Sequence, residues 1–190
     1  MRCRLLTMLE LEGELNREFA PLEPDLMGLR LVRPGTSHVE VGVLQALLGV
    51  QFPASFTTTM TTFNLGSLTI GPTVFGHEVE YSRVLREANL EPVVPWWGVG
   101  ERPASTVMFG NSDPYALVLD CTRGDVLAIQ HGGGGGGLVV ASDFELFLRG
   151  IGTVFVGRQT ERAEPDIGPV VGALVGSSSE GLAYWSELAR

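Results

Sequence analysis

Three short apolar runs, residues 106–109, 115–120 and 125–130, follow one another with only Gly110-Asn111-Ser112-Asp113-Pro114 and Thr122-Arg123-Gly124 between them. Both breaks consist of residues that favour turns, through backbone freedom, a fixed φ or local side-chain hydrogen bonds. Parallel neighbours need a crossover of about a dozen residues or more, and neither break is that long. The runs therefore predict an antiparallel meander in the middle of the fold.

Helical patterns flank it. Residues 4–19 place Met8, Leu11, Leu15 and Phe19 at helical spacing, with Glu10, Glu14 and Arg17 elsewhere on the wheel, weakened at Gly13 and stopped by Pro21 and Pro24. Leu29-Arg30-Leu31-Val32 is compatible with a short strand. Ser37 and Glu40 have capping-box spacing and open a helix that buries Val41, Leu44 and Leu48 and ends at Gly49. Pro53 starts another, continuing through the Thr-rich residues 54–63. Residues 68–75 read as a strand interrupted at Gly71-Pro72, residues 78–89 as a helix, and residues 92–103 as a Pro/Gly/Trp-rich loop. Ser142 and Glu145 repeat the capping-box spacing before Phe144, Phe147, Leu148 and Ile151, which share one helical face. Residues 159–176 are polar and rich in Gly and Pro, and a last short helix is expected between the serines at 177–179 and Leu188.

Strands in the middle and helices at the ends argue for the α+β class. A chain of 190 residues suits one domain with an added arm. The expected division is an N-terminal helix and connection over 1–36, an α+β domain over 37–158, and a C-terminal arm with a short helix over 159–190. Val41, Leu44, Leu48, Phe56, Leu117, Leu119, Phe144, Phe147 and Leu148 are the expected core.

The net charge is −9, and all 13 basic residues are Arg, scattered along the chain. No basic run can replace phosphate counterions, so nucleic acid is not an expected partner. Without Lys, a P-loop or Schiff-base site is excluded. The acidic surface favours a basic protein partner through steering. Cys3 and Cys121 make no disulfide framework, and no stretch approaches the length of a membrane span or the make-up of a signal peptide. A cytoplasmic location is expected, with no membrane partner.

Few residues invite chemistry. The six glycines 132–137 lack the Lys and helix start of a phosphate loop and read as a flexible connection. His38, His77 and His131 have no metal-ligand spacing among themselves or with the two cysteines, so no metal or organic cofactor is expected. No Gly-x-Ser-x-Gly elbow occurs, and the acidic residues form no readable acid/base pair. That leaves Trp96 and Trp97, adjacent in a loop with Pro92, Pro95, Gly98 and Gly100. They suit either an interface anchor or core filling. With Asp113, Asp120 and Asp125 at or near the turns, they form the expected partner-binding set.

The segment Leu47-Leu48-Gly49-Val50-Gln51-Phe52-Pro53-Ala54-Ser55-Phe56, followed by Phe63-Asn64-Leu65-Gly66, resembles the opening signature of the SUKH superfamily, the Smi/Knr-like proteins. Tyr115 to Asp120, Gly124-Asp125-Val126 and the Ser-x-Phe-x-x-Phe-Leu pattern at Ser142 to Leu148 resemble the tail of that domain. Phe52 stands in place of the usual Leu, and Leu65 in place of the first turn Gly. The resemblance covers residues 37–158. It implies a mixed, largely antiparallel sheet with helices packed on one face. It also implies a non-catalytic bacterial immunity protein that neutralises a polymorphic toxin. Competing readings are a regulatory or scaffold module of the same fold, and an enzyme whose site is assembled from scattered residues.

Overall fold

The computed structural model describes residues 4–131, 136–159 and 167–190. Cys3, glycines 132–135 and residues 160–166 lie outside the described residues, and with them the readings made for that thiol and for most of the glycine run.

The meander forms where the turn signals put it. Strands β3 (Thr106–Ser112), β4 (Tyr115–Asp120) and β5 (Val126–Gln130) pair antiparallel in sequence order. β1 (Thr69–Ile70) and β2 (Thr73–Val74) add a small hairpin around Gly71-Pro72 on one side, and β6 (Leu138–Ala141) adds the other edge. The six strands lie in the order β1-β2-β3-β4-β5-β6, with every pairing antiparallel. The α+β class therefore holds, and no parallel pair occurs among the described strands where a mixed sheet was expected. β3 runs three residues further than its apolar run, so the turn narrows to Asp113-Pro114.

Seven α-helices lie among the described residues: α1 (Met8–Phe19), α2 (His38–Leu48), α3 (Ala54–Thr62), α4 (Tyr81–Leu90), α5 (Phe144–Gln159), α6 (Ile167–Leu174) and α7 (Leu182–Leu188). Capping boxes start α1 at Thr7 with Glu10 and α2 at Ser37 with Glu40, and Gly49 ends α2 in the left-handed conformation. The expected box at Ser142 does not form. Asp143 Oδ1 instead accepts the N–H groups of Glu145 (2.8 Å) and Leu146 (3.2 Å), while Ser142 donates N–H and O–H to the carbonyl of Val175. Val32 makes only an isolated bridge to Asn64.

All seven helices send side chains into one core against Val107, Phe109, Leu117, Leu119, Val126, Ala128 and Val140 of the sheet. All nine residues expected to be buried are buried. The opposite sheet face carries a separate cluster of Ala116, Val118, Met108, Leu127 and Ile129, covered by Trp96 and Trp97 and not by a helix.

Both terminal segments belong to the main core, because α5 offers glycines where they dock. A Cβ on Gly152 would lie 2.4 Å from Leu11 of α1, and one on Gly150 would lie 2.6 Å from the Trp185 ring of α7. The expected C-terminal arm is thus part of the domain: Tyr184 and Trp185 are fully buried, and Trp185 Nε1 donates to Val140 O at 2.8 Å. α6 was not legible in the sequence because Gly168, Pro169 and Gly172 obscure its pattern. Those glycines serve packing. A Cβ on Gly168 would meet Trp185 O at 2.2 Å, and one on Gly172 would meet the Trp185 ring at 2.6 Å.

β3 carries a bulge. Met108 pairs with Val118 and Gly110 with Leu117, leaving Phe109 without a partner. β2 reaches only Ser112 and Asn111, so the edge of β3 near Phe109 lacks a strand. Side chains of α4 take over that edge. Tyr81 donates its hydroxyl to Phe109 O at 2.8 Å, and the Asn89 amide donates to Met108 O and accepts from Met108 N–H, both at 2.8 Å. Asn89 thereby stands in for a strand residue.

Two stability predictions follow. Asn89→Leu orphans both backbone groups of Met108 and should cost about 2–4 kcal/mol of unfolding free energy. Urea unfolding with an unchanged slope and a midpoint shift near zero would refute the edge role. Gly168→Ala meets backbone, which cannot swing aside, so the cost lies at the upper end of about 1–3 kcal/mol and exceeds the roughly 1 kcal/mol gained in helix propensity. Gly13→Ala, whose Cβ would have no atom within 4 Å, should instead stabilise the protein. Thermal melts of the two variants should move in opposite directions.

Candidate functional site

The connection from α4 to β3 is long, and its composition explains its path. Pro92, Pro95, Gly98 and Gly100 prevent regular structure, with Gly98 at φ 77° and Gly100 at φ 95°. Trp96 folds back onto Ala116 and Val118 and is buried, and Trp97 packs edge-on against it with ring centroids 5.3 Å apart. Trp97 is half-buried and donates Nε1–H to Gly100 O at 3.1 Å. Arg102 fixes the far end of the loop by donating to the carbonyls of Leu48 and Thr106.

With its root fixed this way, the loop turns three valines outward. Val93 is 101%, Val94 79% and Val99 103% exposed, with exposed Glu91 and Glu101 at the two ends. Three apolar side chains on one anchored loop are thus left without packing against the described residues. The sequence did contain a signal for them: Val93, Val94 and Val99 fit no strand or helix period and sit among turn formers.

The expected binding set is only partly brought together. Trp96 is core-filling and not an exposed anchor, because the back face of the sheet is apolar and, among the described residues, it is this Trp pair and not a helix that covers Ala116 and Val118. Trp97 lies beside the exposed valines. Asp120 Oδ1 accepts the N–H groups of Thr122 (2.9 Å) and Arg123 (3.1 Å), and Asp125 pairs with Arg123 at 3.0 Å. Both carboxylates thus hold the β4–β5 turn. Asp113 is exposed at the opposite end of β4, about 17 Å away at strand rise. The three acids form no common patch.

Groups that could do chemistry stay apart. A depression of about 470 Å³ is lined by Gln45, Gln51, Ser105, Cys121 and Thr122, among others. Burial, and then the Asp120 carboxylate, push the Cys121 thiol up to about 12, against a weaker lowering by Arg102. Almost none of it is thiolate at neutral pH, so it is no activated nucleophile. Burial raises Tyr184 to about 12 and Tyr81 well above its ordinary value, which suits structural hydroxyls. His131 Nε2 lies 3.2 Å from Asn111 Oδ1, and His38 and His77 are exposed on other elements. Among the described residues no three or more His, Cys, Asp or Glu gather so as to hold a metal, and no helix is long and apolar enough to cross a membrane.

No family model, no curated protein and no solved structure matches the chain.

Root and crown of the loop should separate by mutation. Trp96→Ala removes a buried indole and should cost about 3–5 kcal/mol of stability. Replacing Val93, Val94 and Val99 together by Ser should stay within about 0.5 kcal/mol per site, since each is solvated already. Denaturant unfolding of both variants checks this, and equal losses would contradict the assignment.

Proposed function

We propose that the chain is a non-catalytic protein-binding domain that docks its partner on the 91–101 loop, and that it acts as a bacterial immunity protein neutralising a toxin. The observation that carries the binding role is the set Val93, Val94 and Val99, exposed on a loop held down by Trp96. Apolar groups held in place in the unbound state lose little entropy on docking, which favours affinity. Half-buried Trp97 would add aromatic area at the centre of the contact. The net charge of −9, with Glu91 and Glu101 at the ends of the loop, favours a basic partner and speeds its encounter at low salt. The immunity role rests on the Smi/Knr-like signature over residues 37–158. The high thiol pKa of Cys121 and the scatter of the histidines give an enzyme reading no support.

Affinity capture from the native host, with the wild-type chain and the triple Val→Ser variant side by side, tests the proposal. A basic protein held by the first and lost by the second is expected, and co-expression should relieve that protein's toxicity. Equal capture by both chains would refute the surface. A captured protein harmless to cells would refute the immunity role while leaving the binding role intact.

A further inference from the structure

α2 is apolar on two faces. Val41, Leu44 and Leu48 enter the core, while Val39, Val43 and Leu47 point outward, 78%, 54% and 54% exposed. Exposed Gly42 and Ala46 lie between them, and a Cβ on Gly42 would have no atom within 4 Å. A helix apolar all round is ordinarily covered on both sides. Next to this outer stripe lies α4, and the two helices enclose a groove of about 310 Å³.

The charges around the groove are ordered. Glu40 lies on the first turn of α2 and Glu80 immediately precedes α4, and both line one further recess beside Asn64. Arg83 and Arg86 lie about one and two turns further along α4. Arg83 is engaged by Glu78 and Glu87. The side chains of Arg86 and Glu80 have no hydrogen-bond or ion-pair partner among the described residues. With Arg83 held by Glu78 and Glu87, the charges left at this face are Glu40 and Glu80 at one end and Arg86 toward the other. Packed antiparallel, two copies bring the Arg86 end of each against the acidic end of the other, which offsets part of the repulsion between chains of net charge −9. A two-fold axis across the helices exchanges the acidic and basic ends, which is the self-complementarity an isologous contact requires.

We infer that the α2–α4 face is a homodimer interface. Two α2 helices pack antiparallel about Val43, close together at Gly42 and Ala46, and Arg86 of each copy pairs with Glu80 of the other. α2 is about 16 Å long, so the contact lies at the small end of specific interfaces and the dimer dissociates in the micromolar range. The inference is independent of the 91–101 loop.

Sedimentation of the full chain across the micromolar range should show a reversible monomer–dimer equilibrium. Val43→Arg, a surface change that leaves the melting temperature in place, should raise the dissociation constant about 30-fold or more. Arg86→Glu should also weaken the dimer, and adding Glu80→Arg to it should restore the parent affinity. A monomer at every concentration, a dimer unmoved by Val43→Arg, or a charge exchange that restores nothing would each overturn the inference.

Discussion

Phe109 is the residue on which the rest of the structure depends. As the extra residue of the β3 bulge it has no cross-strand partner, and its ring enters the core among Phe56, Phe75, Phe144 and Phe147, at centroid distances of 5.1 to 6.2 Å. Such edge-to-face and tilted contacts hold helices α3 and α5 to the sheet. The bulge also leaves backbone groups that no strand can pair, and an unpaired buried carbonyl or N–H is costly. Tyr81 and Asn89, two turns apart on α4, answer that need. The position of α4 is thus set by the backbone requirements of β3.

That placement carries over to the surface. Because α4 ends against β3, the chain must travel from Leu90 back to Thr106, and the apolar back face of the sheet gives Trp96 a place to lie. A loop with its root buried can present valines in fixed positions without support from a helix or strand. The same helix forms one wall of the α2 groove. Both candidate contact surfaces therefore depend on a single side-chain-to-strand junction.

α5 plays the corresponding role for the two ends of the chain. Its glycines admit Leu11 from one side and Trp185 from the other, and Gly168 lets α6 reach the backbone of α7. Glycine in a helix costs about 1 kcal/mol relative to Ala. Here that cost is accepted for contacts that a Cβ would prevent. Arms at both ends become part of one core by this means.

Local chemistry was enough to determine much of the protein from sequence alone. Turn residues at 113–114 and 122–124 imposed the antiparallel meander, capping boxes started α2 and Gly49 ended it, and the period of Phe144, Phe147 and Leu148 gave the buried face of α5. These signals act over a few residues, so they can be read without knowing the fold. Only the tertiary structure could decide the rest, because it depends on pairs far apart in the chain. Glycines that look like helix breakers at 168 and 172 are contact points for Trp185. Trp96 is buried because the sheet behind it has no helix on that face, while Val93, Val94 and Val99 are exposed because no described residue folds over them. Asp120 and Asp125 are occupied by their own turn, leaving Asp113 alone at the far end of β4. Burial and charge partnership are properties of neighbours in space, and for this loop those neighbours come from strands β3, β4 and β5, further along the chain.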